Sequence, residues 1–352
     1  MSRIIDGVTG KFELSTPEIY VNNQARYRSG HMSHALVQYA PGKVIDFNSN
    51  CSAVRCEGHS AYGWIEYRKS EDSGQTWGEV RELPFAKKSF EDGLFTISIE
   101  KAVALSDGTI IAFCCRNTML HSICCEPWLN PVYIKSTDGG ETWSEPYEFS
   151  PARGRIYDAI TVGDTIYALE FFNDAEVIFT GNKPEHEYHL FRSDDKGESF
   201  VDLGALPIES FGRAYGSMLA RPDGSIVVYA YNSKDECHMD TILTRDGGVT
   251  WEVLPSCYVA LGIRNPQTAI LDDTYVLHGR GANSRSFVLY TSADGLTWDA
   301  GVYLEPSKSR CYYSNNIVLR DTDGRNRLLI QYSDAYDVAR VNVMHMWMKA
   351  CR

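Results

Sequence analysis

A short motif that recurs five times along the chain of 352 residues constrains its fold more than any other feature. Each copy contains Ser or Thr, then Asp, Gly, a second Thr or Ser, and a closing aromatic residue. The copies are Ser70–Trp77, Ser136–Trp143, Ser193–Phe200, Thr244–Trp251 and Ser292–Trp298. The Asp carboxylate can accept backbone N–H groups of a tight turn, and Gly supplies the positive φ that such a turn needs. Each copy therefore predicts a hairpin turn between two strands, with a structural role only.

The spacing of the copies predicts a ring of small sheets. The closing aromatic residues lie 66, 57, 51 and 47 positions apart, and each interval holds short strand-like runs separated by turn signals. About four short strands per unit are typical of a propeller blade. With a sixth unit over Asn316–Trp347, the chain is predicted to be an all-β, six-bladed β-propeller forming one domain over residues 1–352. The sixth unit lacks a fourth strand, so we expect the segment Phe12–Val21 to close the ring there.

Composition narrows the function and the location. The net charge of −12 argues against nucleic acid as a partner, because phosphates require a basic face. No apolar run approaches the ~20 residues of a membrane span. The N-terminus shows no secretory signal, which favours a cytoplasmic protein, or a secreted one if a leader has been removed. Ten cysteines are then expected to be reduced and buried. Their positions are 51, 56, 114, 115, 124, 125, 237, 257, 311 and 351. No cofactor motif is present, and the oligomeric state stays open.

Polar side chains recur where the innermost strand of each predicted blade begins. These starts are Arg28–His34, Thr96–Lys101, Gly154–Asp158, Gly212–Tyr215, Ile263–Gln267 and Arg310–Asn316. Any one of them alone could be the solvated end of a strand. As a set they indicate one cavity, because the innermost strands of a propeller begin around a single central funnel.

With five motif copies and six predicted blades, nearly the whole chain resembles the sialidase superfamily, whose Asp boxes the copies match. The resemblance implies a carbohydrate substrate and a Tyr nucleophile at the start of the last blade, a place that Tyr313 fills. It implies an Arg shortly before an Asp box, which is Arg280 or Arg285, and a carboxylate partner for the Tyr, which is Glu100 or Glu209. Arginines suit such a site because they clamp a carboxylate bidentately.

The first predicted blade departs from the sialidase pattern. His31 to His34 occupies the place of the family's Arg-Ile/Val-Pro motif, and Glu57-Gly-His59 occupies the loop that carries the acid/base Asp. A first blade rich in His, with Tyr and Arg opposite, resembles the propeller polysaccharide lyases and the His-dependent propeller rhamnosidases. In the lyases, a His or Tyr removes the proton α to a uronate carboxylate that an Arg neutralises, and a His of near-neutral pKa suits that task.

Three functional hypotheses follow. The leading one is an exo-acting glycoside hydrolase on an acidic or otherwise unusual terminal sugar; the alternatives are a lyase on uronate glycans and a non-catalytic propeller that binds glycan or protein. The catalytic candidates are His31, His34, Glu100, Asp158 and Tyr313; the substrate-binding candidates are His59, Arg155, Tyr157, Arg213, Tyr215, Arg264, Gln267, Arg280 and Arg310. A zinc site of His31, His34 and His59 is a further hypothesis, although positions three apart on a strand face opposite sides.

Overall fold

The computed structural model describes residues 2–31, 33–118, 129–174, 179–282, 286–306, 312–321 and 323–351. Three strands precede the first blade: β1 (Arg3–Gly7), β2 (Gly10–Leu14) and β3 (Glu18–Val21). The first blade contains β4 (Arg28–Ser29), β5 (His34–Ala40), β6 (Lys43–Ser52), β7 (Gly63–Ser70) and β8 (Arg81–Glu82). The second contains β9 (Phe95–Ala104), β10 (Ile110–Thr118), β11 (Val132–Ser136) and β12 (Tyr147–Glu148).

The remaining blades follow in chain order. The third contains β13 (Gly154–Val162), β14 (Thr165–Phe172), β15 (Tyr188–Ser193) and β16 (Val201–Ala205). The fourth contains β17 (Arg213–Ala220), β18 (Ile226–Asn232), β19 (His238–Thr244) and β20 (Glu252–Tyr258). The fifth contains β21 (Arg264–Leu271), β22 (Thr274–Arg280), β23 (Ser286–Ser292) and β24 (Val302–Pro306). The sixth contains β25 (Ser314–Arg320), β26 (Asn326–Asp337) and β27 (Arg340–Ala350).

Helix is scarce in the part of the chain that the structure describes. One α-helix, α1 (Pro84–Glu91), links the first two blades, and it begins at a proline, the residue best suited to a first helical position. Two short 3-10 turns span Gln24–Arg26 and Arg55–Gly58. No helix among the described residues is long and apolar enough to cross a membrane.

The predicted six-bladed ring is confirmed. All the sheets are antiparallel, and β5, β9, β13, β17, β21 and β25 contact one another in sequence around the centre. Apolar side chains of neighbouring blades interlock between the sheets, as Phe113 and Ile156 do between the second and third blades. The innermost strands therefore begin around one funnel, as the sequence predicted.

The ring closes through the N-terminal segment, as expected. Strand β27 pairs with β2, where Phe12 faces Ala350, and with β3, where Val21 faces Val343. Strand β1 adds a further strand outside β2, which the sequence pattern did not predict. Both ends of the chain thus meet in the sixth blade, so that its outer edge is covered.

The repeated motif forms the predicted turn between the third and fourth strands of a blade. In the second blade, the Ser136 hydroxyl donates to the Asp138 carboxylate and accepts the Gly140 N–H, both at 2.8 Å. The same carboxylate accepts the backbone N–H of Thr142 at 2.9 Å and its hydroxyl at 2.6 Å. Gly140 has φ of 79°, where a Cβ would be strained. These bonds give each copy a structural role.

The cysteines match their expectation only in part. Cys51, Cys114, Cys115 and Cys257 are buried, and burial raises the pKa of the Cys51 thiol to about 12. Cys56, Cys237 and Cys351 are partly exposed, so the expectation that every cysteine is buried is wrong for these three. Cys124, Cys125 and Cys311 lie outside the described residues.

Candidate functional site

Bulges at the funnel end of four consecutive innermost strands shape the site. In the second, third and fourth blades, Glu100, Tyr157 and Tyr215 are each skipped in the pairing with the neighbouring strand. In the fifth blade the skip falls at Asn265 and Pro266, and Asn265 has a positive φ of 59°. A bulge changes the direction of a side chain and is over-represented beside active sites. The bulges therefore place one side chain after another around the same opening.

Tyr313, immediately before β25, lies beside two histidines of the first blade. Its ring centroid is 4.6 Å from that of His31 and 6.4 Å from that of His59, and the two imidazoles are 3.8 Å apart. The segments that carry these histidines contain left-handed residues other than glycine, which are Tyr27, Ser33, Cys56 and Glu57. Such backbone strain concentrates at functional sites, where the surrounding structure has to impose it.

Both of these histidines are held in the neutral form. Burial, followed by the nearby charge of Arg280, lowers the pKa of His59 to about 4. Burial also lowers the pKa of His31 well below its usual value, with His59 as the next cause. Neither ring nitrogen of His31 has a hydrogen-bond partner among the residues that the structure describes. Two neutral imidazoles therefore lie against the Tyr313 ring.

Three arginines surround this aromatic cluster. The Cζ atom of Arg280 lies 4.9 Å from the centroid of the Tyr313 ring, that of Arg264 lies 4.5 Å from Phe179, and that of Arg155 lies 5.0 Å from Tyr157. Arg264 and Arg280 face each other directly across β21 and β22. Two cationic side chains therefore extend from paired positions of one hairpin, a composition that suits an anionic ligand.

Glu100 is the carboxyl group at the wall of the cavity. Its side chain, 14% exposed, accepts a hydrogen bond from the buried Arg155 guanidinium. Burial raises the pKa of the Glu100 carboxyl, and the charge of Arg155 opposes that shift. The backbone carbonyl of Glu100 accepts the Asn315 amide at 2.7 Å, which connects the second blade to the sixth.

A narrow cavity brings several predicted residues together. Its walls are formed by Ser33, His34, Glu100, Asn265, Gln267, Tyr313, Ser314 and Asn315. His34 and Gln267 are both buried there, and burial lowers the pKa of His34 to about 4. The structure therefore brings four residues named from the sequence into one pocket: His34, Glu100, Gln267 and Tyr313.

Two predicted site residues make contacts away from the Tyr313 cluster. Arg213 donates to Asp240 at 2.5 Å and to the Phe211 carbonyl, so its guanidinium is used within the fourth blade. The Asp158 carboxylate accepts the Met218 N–H at 2.6 Å and pairs with Lys101 at 3.2 Å, which ties neighbouring blades together. Both groups serve structural contacts and are not directed at the Tyr313 cluster.

Glu100 and Glu209, the two candidate carboxylate partners of Tyr313, lie in different surroundings. Glu209 is exposed and accepts the Phe211 N–H at 2.9 Å, while Glu100 lies in the cavity with Tyr313. The position of the side chains therefore favours Glu100 as the partner.

The zinc hypothesis is not supported. No three His, Cys, Asp or Glu side chains within the described ranges are grouped to hold a metal ion, so His31, His34 and His59 do not form the zinc site considered from the sequence. Two of the arginines named from the sequence, Arg285 and Arg310, lie outside the described residues.

Sequence reasoning missed the aromatic lining of Arg264. Phe179 comes from the segment before β15, and the Tyr231 ring centroid, at the end of β18, lies 5.7 Å from the Arg264 Cζ atom. Neither residue lies at the start of an innermost strand, which is where the polar side chains of the predicted site recur in the sequence. Asn265 carried a readable signal, since Asn tolerates positive φ and here precedes a proline.

Comparisons with known proteins agree with this fold. The model of the BNR/Asp-box repeat matches residues 134–145, around the second motif copy. No curated protein matches the sequence significantly. The solved structures that resemble the chain include sialidases, and together with the ring of sheets and the Asp boxes they show that this chain has the sialidase-superfamily fold.

Three of these structures illustrate the likeness. A protein of unknown function from Dyadobacter fermentans aligns with a TM-score of 0.73 at 14% identity, covering 97% of this chain and 99% of that one. The Hadza microbial sialidase Hz136 aligns with a TM-score of 0.70 at 17% identity, covering 94% of this chain and 68% of that one. The intramolecular trans-sialidase of Ruminococcus gnavus was solved with oseltamivir carboxylate. It aligns with a TM-score of 0.63 at 13% identity, covering 93% of this chain and 96% of that one. At these identities the likeness concerns the fold.

Proposed function

We propose that the protein is an exo-acting glycoside hydrolase that removes a terminal sugar bearing a carboxylate or another anionic group. The observation that carries the proposal is the position of Tyr313, in one cavity with Glu100 and under the guanidinium of Arg280. The structural neighbours include sialidases, and sialidases are the glycosidases in which a Tyr is the nucleophile.

The arginines bind the anionic group in this proposal. Arg264 and Arg280 face each other across two strands, and the Nε atom of Arg264 has no hydrogen-bond partner among the described residues. An anion at this place accepts the Nε–H group of Arg264 and balances the positive charge of the two side chains. The protein's overall net charge of −12 makes such a local positive group necessary for an anionic substrate.

Tyr313 and Glu100 divide the chemistry. The ionised Tyr313 oxygen attacks the anomeric carbon, the glycosidic C–O bond breaks, and the leaving oxygen takes the proton of the Glu100 carboxyl, whose pKa burial raises. Water then attacks the tyrosyl–sugar bond and returns its proton to Glu100, so that Tyr313 regains its negative charge. The net reaction consumes one water and needs no cofactor.

The test is a panel of aryl glycosides. It contains sialic, glucuronic and galacturonic acid derivatives, with galactosides and rhamnosides as neutral controls. We expect release from at least one acidic sugar, with a product that has gained water and has no near-ultraviolet absorbance from a new C=C bond. Release from neutral sugars only, or binding of acidic sugars without release, would contradict the proposal.

The roles of Glu100 and Tyr313 can be distinguished with substrates that differ in their leaving group. Glu100→Gln is expected to lose most activity on substrates with a poor alcohol leaving group and little on nitrophenyl substrates, which need no proton. Tyr313→Phe is expected to lose activity on both. Equal losses on both substrate types in Glu100→Gln would remove Glu100 from the acid role.

One observation favours a lyase as the second candidate. His31 and His59 are neutral imidazoles beside Tyr313, with pKa values below the near-neutral one expected of a lyase base, and Arg280 lies over the same ring. A proton acceptor and a carboxylate-neutralising cation are therefore adjacent. A lyase would remove the proton α to a uronate carboxylate and expel the leaving group without water. Its product absorbs in the near-ultraviolet. The near-ultraviolet absorbance of the product formed from a uronate oligosaccharide therefore distinguishes the two reactions.

A further inference from the structure

The hydroxyl groups of two tyrosines meet across the funnel. The oxygens of Tyr215 and Tyr313 are 3.1 Å apart, and their side chains are only 2% and 8% exposed. Tyr215 is the bulged residue of β17 in the fourth blade, while Tyr313 precedes β25 in the sixth. The bulge therefore directs Tyr215 to a residue two blades away.

This pair lies within a group of three permanent positive charges. The Arg155 and Arg264 Cζ atoms are 5.5 and 5.9 Å from the Tyr215 ring centroid, and the Arg280 Cζ atom is 4.9 Å from that of Tyr313. Arginine does not deprotonate in proteins. Nearby cations, and a hydrogen bond donated to the charged form, both favour ionisation of an acid. One phenol of the pair can therefore carry a negative charge while the other donates to it.

We propose that Tyr215 is the positioning residue of Tyr313: its O–H donates to the Tyr313 oxygen, stabilises that oxygen as an anion and fixes its direction. The inference rests on the proposed function, in which the Tyr313 oxygen is the attacking atom. Tyr215 keeps its proton throughout. The Tyr313 oxygen loses its charge when it bonds to the sugar and regains it on hydrolysis, so the step requires no additional proton acceptor.

The other ionisable groups around the pair do not obscure its titration. Facing Tyr313 are His31, His59, Glu100, Arg155, Arg264 and Arg280; facing Tyr215 are Arg155, Tyr157, Tyr231 and Arg264. Both histidines are already neutral at neutral pH. Burial raises the pKa of Tyr157 and of Tyr231, so these two ionise late in an alkaline titration. A tyrosinate signal that disappears in Tyr313→Phe is therefore assigned to Tyr313 and not to these two residues.

The experiment is a near-ultraviolet tyrosinate titration of the full chain without substrate. We expect the wild type to form one tyrosinate below the pH of about 10 at which ordinary tyrosines ionise. That signal is absent in Tyr313→Phe and moves up by about one pH unit or more in Tyr215→Phe, because the donated hydrogen bond is lost. Tyr231→Phe is the matched control, since its hydroxyl donates to Glu236 at 2.6 Å and not to the pair.

A kinetic measurement complements the titration. On any substrate found, Tyr215→Phe should lower kcat about 10²-fold with little change in KM, as when one donor to a reacting oxygen is removed. A Tyr215→Phe titration identical to that of the wild type overturns the inference, even if the protein proves to be a glycosidase. Conversely, a shifted titration in a protein that cleaves no glycan sustains the Tyr215–Tyr313 pair and rejects the proposed function.

Discussion

Lowering the pH should destabilise the protein through histidines that the fold keeps neutral. Burial lowers the pKa of His34 and His59 to about 4 and that of His278 to about 3, from an ordinary value of 6.5. Between the folded and the ordinary value, the unfolded chain binds more protons than the folded one. The free energy of unfolding contributed by each histidine therefore falls as the pH drops through this window.

The size of the effect follows from these values. From about pH 7 to about pH 5, each of the three histidines should remove about 2 kcal/mol from the free energy of unfolding, or roughly 6 kcal/mol together. The total for a native protein is only about 5–15 kcal/mol. Burial also raises the pKa of Glu170, whose contribution has the opposite slope, so a variant is needed to isolate the histidine effect.

The assay is urea unfolding at several pH values in this range. His34→Gln removes one titrating group, so its free energy of unfolding should depend less on pH than that of the wild type, by about 2 kcal/mol over the interval. His238→Gln is the control, because that side chain is 44% exposed beside Asp235. If His34→Gln and the wild type lose the same free energy on acidification, His34 is not held neutral and the reasoning is refuted.

Three further predictions concern the scaffold. Asp294→Ala should lower the free energy of unfolding by about 2 kcal/mol, measured in urea, because its carboxylate accepts the Leu296 and Thr297 N–H groups; an unchanged midpoint would contradict the turn's structural role. Arg213→Met should lower the melting temperature while leaving kcat/KM of the folded protein unchanged, since its guanidinium is paired with Asp240; a selective loss of activity would return Arg213 to the site. Deleting residues 2–14 should expose the edge of β27 and produce aggregation at a lower temperature in light scattering, and full retention of stability would contradict the closure.

The fold was readable from the sequence because its signals are local. The bonds of each Asp-box turn lie within a few residues, as Ser136 to Thr142 illustrate, so the motif marks a hairpin without knowledge of the rest. The spacing between copies then implies the blades. Strand β1 was not predicted, because within the described part of the chain it pairs only with β2. The ring closes without it, so the spacing of the blades does not indicate a further strand.

The site could be predicted only in part, because the direction of a side chain depends on the register in which its strand pairs with the next. Arg155 and Asp158 stand at the start of the same strand, yet Arg155 pairs with Glu100 in the cavity wall and Asp158 binds the neighbouring blade. The bulge at Tyr157 separates them, and a change of one residue in register moves side chains to the other face. A list of polar residues carries no information on such bulges.

The measurement that tests the site most directly is kcat/KM for Tyr313→Phe on an acidic aryl glycoside that the wild type cleaves. We expect a loss of at least about 10³-fold, since the substitution removes only the attacking oxygen. Tyr27→Phe, at an 87% exposed position, should match the wild type. A Tyr313→Phe variant that retains wild-type kcat/KM would contradict the assignment of Tyr313 and of the cavity around it.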